Sequence, residues 1–337
     1  MTSDITRLDV ARAWRSFLRG KGQRFDVQAF AFDLEANLEQ LYHELSRGIY
    51  QHGPYRVFVR CDPKRRVIAV PSVRDQIVHH LLVGAIGPTF ERRFHPHSYA
   101  SRQGKGVLAS VETVHHWIRD MSDGGRQCCW ALRMDVASYF ASLDHTMLNN
   151  LLARCIGEPW RWLAAEIIKS YGEDRGGRRC GIPLGNLTSQ LFANVYLYEL
   201  DWFVTHDFRM RRYARYMDDW IVIGRDCAEL EDTAVRCREF LRNRLRLDAP
   251  DRKTSIVSVM RGVDWLGFRL LPHHRVLRPV TFQRMQRALH ERVLACLDDG
   301  LPRDRLCATL ASYDGLLRCA SHGQERERLR LLDRCVP

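Results

Sequence analysis

The chain has 337 residues, of which 45% are hydrophobic, enough to bury one large core or several smaller ones, and this excludes a disordered chain. Lysine and arginine number 52 against 40 aspartate and glutamate, so the net charge is +12 and a polyanion is the natural partner. The first residues are charged throughout, and no run of about eighteen apolar residues, the length that a membrane span needs, occurs anywhere. We therefore expect a cytoplasmic protein with no membrane partner.

The N-terminal third combines helices with one basic hairpin. Two short β-branched runs, 57–59 and 67–70, flank the basic turn 62–66 and predict a hairpin with positive charge at its tip. The segment 96–106, which contains Arg102, is polar and includes glycine. Three segments are predicted to be helices: 5–18, 32–45 and 73–86.

The rest of the chain interleaves strand-like and helix-like segments, which predicts the α+β class. Strands are expected at 130–136, 213–216, 220–223, 255–259 and 265–271. Helices are expected at 146–155, 160–171, 189–205 and 228–245. From residue 281 onward the chain is basic and has apolar residues at helical spacing.

Two adjacent carboxylates, Asp218 and Asp219, stand between two β-prone runs, so both are expected at the tip of a hairpin. Because adjacent strand residues point to opposite faces, only one of them needs to face a bound metal directly. We predict Asp218 as the principal ligand and Asp219 as the weaker one. The alternative is that the pair serves only as turn chemistry.

Asp135 ends the apolar run 130–134, where a half-buried carboxylate is costly without a cation. Two carboxylate centres carried by strands of one sheet are what two Mg²⁺ ions need to bridge an attacking hydroxyl and a leaving pyrophosphate. Asp135, Asp218 and Asp219 therefore predict nucleotidyl transfer.

Three motifs, 134–140, 181–185 and 216–219, resemble in order and spacing the palm motifs of reverse transcriptases. The resemblance covers most of the chain and implies an RNA-directed DNA polymerase with an α+β right-hand fold: fingers, a palm of antiparallel sheet backed by helices, and a helical thumb. It implies two Mg²⁺ ions, for which Mn²⁺ can substitute. The metal ligands implied are Asp135, Val136, Asp218 and Asp219. The expected division is fingers at 1–108 and 144–180, palm at 109–143 and 181–271, and thumb at 272–337.

The resemblance also implies which residues bind the incoming deoxynucleoside triphosphate (dNTP). Lys64 and Arg66 suit it because its oxygens accept charge-assisted hydrogen bonds, although a solvated basic turn is the alternative. Phe140 falls where an aromatic ring blocks a ribose 2′-hydroxyl, and an ordinary core aromatic is the alternative. The full set is Lys64, Arg66, Phe140, Leu184, Gly185 and Lys253.

A second set of residues is implied to contact the template RNA, the primer or the RNA–DNA hybrid. The segment 265–268 looks like the primer grip of the family, and 98–106 is similar to a stretch in bacterial and group II intron enzymes. The set is Arg102, Ser189, Gln190, Tyr216, Met217, Leu266 and Gly267.

Two features are similar to the reverse transcriptases of diversity-generating retroelements. Residues 185–190 match their Gly-x-x-x-Ser-Gln pattern, and Leu184 stands where many reverse transcriptases carry glutamine. An aliphatic side chain cannot make the hydrogen bond of glutamine, worth on the order of 1 kcal/mol, so we expect low fidelity. The subtype implies copying of a template-repeat RNA into cDNA with errors at template adenines. It also implies an oligomeric accessory variability protein as partner.

Other functions stay open. A retron or other stand-alone bacterial reverse transcriptase would share the three aspartates, and the Ser189–Gln190 pair argues against it. An intron-encoded maturase ranks lower, because such proteins normally carry further DNA-binding or endonuclease segments. A non-catalytic RNA-binding protein of the same fold would have no need of three carboxylates.

Overall fold

A computed structural model describes residues 5–61, 65–298 and 302–320 of the chain. Within this part the chain forms two compact units. The first unit contains the chain up to Ser101 together with Val136–Asp207 and Cys237–Pro250. The second unit contains Arg102–Asp135, Phe208–Arg236 and the chain from Asp251 onward.

The elements are numbered in chain order. The helices are α1 Arg7–Leu18, α2 Phe25–Phe32, α3 Leu34–Ser46, α4 Val73–Glu91, α5 Val107–Met121, α6 Tyr139–Ser142, α7 His145–Ala153, α8 Trp160–Lys169, α9 Leu187–Trp202, α10 Cys227–Leu245, α11 Pro279–Asp298 and α12 Arg303–Arg318. The strands are β1 Arg56–Arg60, β2 Arg66–Val70, β3 Trp130–Asp135, β4 Glu173–Asp174, β5 Arg179–Cys180, β6 Tyr213–Tyr216, β7 Asp219–Gly224, β8 Ser255–Ser258, β9 Val263–Trp265, β10 Phe268–Leu270 and β11 Arg275–Leu277.

The first unit is organised around helix α4. Helices α1, α8 and α9 pack against α4, and Phe17 of α1 is buried in the same core as Ile77 and Leu82 of α4. Helix α1 begins with a capping box, in which Thr6 and Asp9 satisfy each other's backbone N–H groups.

The first unit also carries an antiparallel ribbon of β1 and β2, which confirms the predicted hairpin. Arg60 and Arg66 form the last pair before its tip. The tip residues Asp62, Pro63 and Lys64 lie outside the described residues, so the predicted role of Lys64 is not tested by the geometry.

The second unit is built on a four-stranded antiparallel sheet with the strand order β6-β7-β3-β8. Helix α5 packs against β6 and β7, and its residues Val111, Val114 and Ile118 are fully buried. Strand β3 is central, and its last residue, Asp135, pairs with the first residue of β7, Asp219. The register therefore places the ends of β3 and β7 side by side.

A second sheet, β9-β10-β11, shows that the predicted single strand at 265–271 is wrong. The chain reverses at Leu266 and Gly267, and Phe268 pairs antiparallel with Trp265. Both turn residues have positive φ, 44° and 89°, as a two-residue hairpin turn of this kind requires. Apolar residues continue on both sides of the turn, so the alternation pattern does not reveal it.

Four helices also differ from prediction. Helices α2, α5 and the short α6 are missing from the predicted elements; Phe25 and Phe32 of α2 are largely exposed, so α2 has no apolar periodicity to detect. Helix α9 ends at Trp202 and continues as a π-helical turn, Phe203–Asp207, where a longer α-helix is expected. The other predicted helices and strands lie within a few residues of their expected bounds.

The predicted α+β class, with an antiparallel sheet backed by a helix, is confirmed. In the part of the chain that the structure describes, no helix is long and apolar enough to cross a membrane.

Candidate active site

Asp218 lies in the two-residue turn that joins β6 to β7. Tyr216 and Asp219 form the last pair of the ladder, and Met217 and Asp218 make the turn itself. Met217 has a φ of 58°, a left-handed conformation that costs residues other than glycine on the order of 1–3 kcal/mol. The fully buried Arg215 donates a hydrogen bond from Nη1 to the Met217 carbonyl, 3.0 Å away. This bond helps to hold Asp218 at the tip of the hairpin.

The carboxyl groups of Asp135, at the end of β3, and Asp218, in the β6–β7 turn, are brought into contact. Burial, and next the negative charge of Asp135, raise the pKa of Asp218 to about 7. Asp135 Oδ1 is buried and accepts no hydrogen bond from an amide, hydroxyl or cationic donor among the residues that the structure describes. Two carboxyl groups in this arrangement share a proton or a cation, because two bare negative charges in contact are unfavourable.

Two basic side chains partly neutralise the site. Lys253 Nζ lies 2.9 Å from Asp135 Oδ2. Arg133 donates from Nε to Asp219 Oδ1 at 2.8 Å and from Nη2 to Asp219 Oδ2 at 2.6 Å. Burial raises the pKa of Asp219, while the Arg133 hydrogen bonds oppose that rise. Three carboxylates thus face two cationic side chains, which leaves an excess of negative charge.

These residues fit a divalent cation of the hard, oxygen-seeking kind. Asp135 and Asp218 converge and leave one buried carboxylate oxygen unsatisfied, and Mg²⁺ and Mn²⁺ prefer carboxylate oxygens. Within the described residues no three His, Cys, Asp or Glu side chains converge as a ready metal cage. The reason is that Asp219 is turned to Arg133, so its predicted rank as the weaker ligand stays a prediction. The Val136 side chain is buried and apolar, and only its main-chain carbonyl could contact a cation.

Several of the predicted template and primer residues also lie in the second unit. Tyr216 and Met217 flank Asp218 on the β6–β7 hairpin. Leu266 and Gly267 form the β9–β10 turn, and the Gly267 carbonyl accepts a hydrogen bond from the Arg278 N–H at 2.9 Å. Arg102 is half-buried, in the loop before α5.

The predicted nucleotide residues of the first unit are drawn together around the ribbon. The Leu184 carbonyl accepts a hydrogen bond from the Ala69 N–H on β2, at 3.4 Å. A Cβ added at Gly185 would stand 3.1 Å from Ile68 Cγ2. The Phe140 carbonyl accepts from the Ile182 N–H at 2.9 Å, so α6 is tied to the same segment.

The remaining residues of the first unit differ in exposure. Arg66 is exposed on β2, whereas Ser189 is buried within the first turn of α9 and Gln190 is half-buried beside it. As placed here, the Ser189 hydroxyl is therefore not open to a template strand.

Two functional candidates escape the sequence analysis. Arg133 belongs to a run that is otherwise apolar, and Arg215 lies on the strand before the Asp pair. Each therefore looks like part of a strand and not like a functional residue. A signal for Arg133 exists in the sequence: it precedes Asp135 by two residues, and alternate residues of a strand share one face. Its partner Asp219 could not be identified in this way, because the β3–β7 register is a tertiary feature.

Comparison with known proteins agrees with these observations. The family described as reverse transcriptase (RNA-dependent DNA polymerase) matches residues 61–270, which is more than half of the chain. Protein YkfC of Escherichia coli K12 is 29% identical over 71% of this chain and 72% of that protein. The group II intron-encoded protein LtrA of Lactococcus lactis subsp. cremoris is 20% identical, over 74% of this chain and 51% of its own length. This chain thus spans about half the length of LtrA.

Solved structures provide a more distant likeness. Telomerase from Candida albicans, in complex with a fragment of telomeric RNA, aligns with a TM-score of 0.45 at 12% identity, covering 81% of this chain and 56% of that one. The family match, with the helix-backed antiparallel sheet, confirms the predicted α+β polymerase fold.

Proposed function

Since the chain belongs to the reverse transcriptase family of RNA-directed DNA polymerases, we propose that it copies RNA into DNA by nucleotidyl transfer at Asp135 and Asp218. The observation that carries this proposal is the contact of these two carboxyl groups, one at the end of β3 and one in the β6–β7 turn, with one buried oxygen left without a donor. A divalent cation is the partner that such a pair lacks.

We propose Mg²⁺ as the cofactor, as two ions for which Mn²⁺ substitutes. When bound, the ions supply charge stabilisation for the attacking hydroxyl and the leaving pyrophosphate. Asp135, Asp218 and, more weakly, Asp219 hold them, and the Val136 carbonyl is available beside Asp135. Lys253 neutralises Asp135 in the cation-free enzyme and lies close enough to the site to meet a triphosphate.

The substrates that we propose are a primed template RNA and dNTPs. The exposed Arg66 supports this, because it presents a cation on the ribbon strand whose neighbours Ile68 and Ala69 contact the 184–185 segment. Phe140, tied to that segment through Ile182, is proposed to exclude a ribose 2′-hydroxyl. We assign the fingers to 1–108 and 144–180, the palm to 109–143 and 181–271, and the thumb to 272–337.

For the subtype, we propose a diversity-generating retroelement polymerase that copies a template-repeat RNA with errors at adenines. What supports this is the side chain of Leu184, which sits in the ribbon-bound segment and has no hydrogen-bonding group to place a nucleotide. An accessory variability protein is the partner that this proposal requires. A stand-alone bacterial reverse transcriptase is the second candidate, which the family match over residues 61–270 supports equally well.

The experiment is primer extension on a heteropolymeric RNA with Mg²⁺, followed by sequencing of the products. Wild type is compared with Asp218→Asn, with and without an accessory variability protein from a retroelement of this kind. The control is Asp232→Asn, an exposed carboxylate of α10 that pairs only with Arg236 across one helical turn among the described residues. We expect Asp218→Asn to lose about a thousandfold in rate, or roughly 4 kcal/mol, and the control to keep full activity.

The outcomes separate the candidates. Errors clustered at template adenines support the retroelement assignment. Accurate copying by the wild type supports the stand-alone enzyme instead. RNA binding without any DNA product, with or without the accessory protein, leaves a non-catalytic RNA-binding protein as the remaining function.

A further inference from the structure

Arg133 occupies both carboxylate oxygens of Asp219, so a cation has to compete with Arg133 for them. The planar guanidinium donates to both oxygens of the carboxylate, the bidentate geometry that makes arginine–carboxylate pairs strong. Both side chains are mostly buried, with 32% of the Arg133 side chain and 19% of the Asp219 side chain exposed, so solvent screens the pair only partly. A divalent cation that approaches Asp219 would therefore meet a positive charge already in place.

A cavity of about 360 Å³ lies on the same face of the sheet as this pair. Arg133 lines it together with Ser255, which is the cross-strand partner of Arg133 on β8. Residues 261–264 and Arg269 also line the cavity, including Asp264 of β9. The Arg133 side chain thus borders open space that Asp264 also borders, and Asp219 is not among the lining residues.

Asp264 offers a second carboxylate on this cavity. Its Oδ1 is buried and accepts no hydrogen bond from any residue that the structure describes, while its Oδ2 lies 3.1 Å from Arg278 Nε. Arg269 Nη1 stands 3.8 Å from Oδ1, beyond hydrogen-bonding distance, because Arg269 donates instead to the Arg261 carbonyl at 2.5 Å. An unsatisfied buried carboxylate oxygen costs free energy, so Oδ1 of Asp264 can still accept a donor, although Oδ2 already has one.

Arg133 and Asp264 line this one cavity together. Arg133 donates to both oxygens of Asp219, while Oδ1 of Asp264 accepts no hydrogen bond from the described residues. Arg133 therefore has an occupied acceptor in Asp219 and an unsatisfied carboxylate oxygen on the same cavity in Asp264.

We propose that Arg133 is a positioning residue that exchanges carboxylates, holding Asp219 in the cation-free enzyme and moving across the cavity to Asp264 when Asp219 turns to a cation. This inference rests on the proposed function, since it presumes that Asp135 and Asp218 bind the first ion. In the cation-free state Arg133 removes the repulsion that a third bare carboxylate would add. In the loaded state Oδ1 of Asp264 receives the displaced guanidinium, so that the Arg133 charge is not left buried and unpaired.

The test is Mn²⁺ binding to the full chain without nucleic acid or nucleotide, measured by electron paramagnetic resonance at pH 8. Arg133→Gln removes the competitor, and we expect Mn²⁺ to bind about tenfold more tightly, as the loss of one positive charge about 5 Å from a divalent ion predicts at water-like screening. Asp264→Asn removes the negative charge of the second acceptor, so Arg133 stays on Asp219 and Mn²⁺ binds several-fold more weakly. Arg133→Lys, which keeps the charge but not the bidentate fork, should lie between wild type and Arg133→Gln.

The double variant decides whether the two residues are coupled. In the Arg133→Gln background, Asp264→Asn should have no further effect, because no guanidinium remains to be received. The control is Arg126→Gln, an exposed arginine of the same unit whose salt-bridge partner, Asp123, is outside the site. Melting curves for each variant show that the fold is intact, and Asp264→Asn carries the test if Arg133→Gln does not fold.

The inference is overturned if Arg133→Gln leaves Mn²⁺ affinity unchanged or weakens it, or if Asp264→Asn acts equally in both backgrounds. Asp218→Asn distinguishes this failure from failure of the proposed function. If Asp218→Asn abolishes Mn²⁺ binding while Arg133 and Asp264 are uncoupled, only the exchange is wrong. If Asp218→Asn binds Mn²⁺ as wild type does, the metal site itself is wrong.

Discussion

A single methyl group at Gly185 should disrupt the segment that is proposed to meet the incoming nucleotide. Gly185 has a φ of 103°, which residues other than glycine rarely adopt, and a strained backbone of this kind costs on the order of 1–3 kcal/mol. A Cβ there would also stand 3.1 Å from Ile68 Cγ2, and Ile68 is β-branched, so its side chain cannot turn aside freely. We expect Gly185→Ala to lower the free energy of unfolding by about 2–4 kcal/mol.

The same substitution at Gly84 is the matched control, with the opposite expected sign. Gly84 is exposed within helix α4, and a Cβ there meets nothing within 4 Å. Gly84→Ala should therefore stabilise the protein by about 1 kcal/mol, because alanine loses less backbone entropy in a helix. Adding Ile68→Ala to Gly185→Ala removes Cγ2 and leaves only the backbone strain, so a double-mutant cycle separates the two causes.

Urea unfolding of the four variants measures these free energies, and steady-state kinetics measures the functional consequence. The 184–185 segment is bound to β2 through the Ala69–Leu184 hydrogen bond, so we expect KM for dNTP to rise about tenfold or more in Gly185→Ala. Gly84→Ala should leave KM unchanged. If Gly185→Ala is as stable as the wild type and has the same KM, both the strain and the placement of this segment are wrong.

Burial and Asp135 raise the pKa of Asp218 to about 7, so the carboxylate form needed by a cation gains population as pH rises. The Mg²⁺ concentration for half-maximal extension should accordingly fall about tenfold from pH 6 to pH 8, and a flat profile would contradict the contact of the two carboxyl groups. Burial lowers the pKa of His79 from 6.5 to about 3. Between these two pH values the unfolded chain binds a proton that the folded chain does not. The contribution of neutral His79 to stability is present above pH 6.5 and declines as pH falls, by up to about 1.4 kcal/mol per pH unit. In urea unfolding, the free energy of unfolding of His79→Asn should depend less steeply on pH than that of the wild type. An unchanged dependence would show that the pKa of His79 is not lowered by burial. Leu184→Gln should reduce errors at template adenines in sequenced cDNA, and an unchanged error spectrum would refute the proposed cause of low fidelity.

Local patterns in the sequence are sufficient to predict most of the elements that carry the candidate site. The β6–β7 hairpin with Asp218 at its tip follows from two β-prone runs around a polar pair, because turn chemistry and alternation act over a few residues. The basic ribbon of β1 and β2 follows for the same reason. The end of β3 at Asp135 is likewise visible as the limit of an apolar run.

Local patterns are insufficient where a turn or helix lacks a signal of its own. The reversal at Leu266 and Gly267 is invisible because apolar residues continue through it, and only the pairing of Phe268 with Trp265 reveals two strands. The exposed phenylalanines of α2 likewise give no apolar face for periodicity to detect.

Tertiary structure alone decided how the carboxylates are used. The β3–β7 register places Asp135 opposite Asp219, yet packing turns Asp219 to Arg133 and leaves Asp135 in contact with Asp218. The unsatisfied oxygen of Asp264 depends on a sheet that the sequence analysis does not predict. Residue types and spacing specify which charges exist, but their burial and their distances arise from contacts between segments far apart in the chain. Those distances determine whether a carboxylate binds a proton, an arginine or a metal ion.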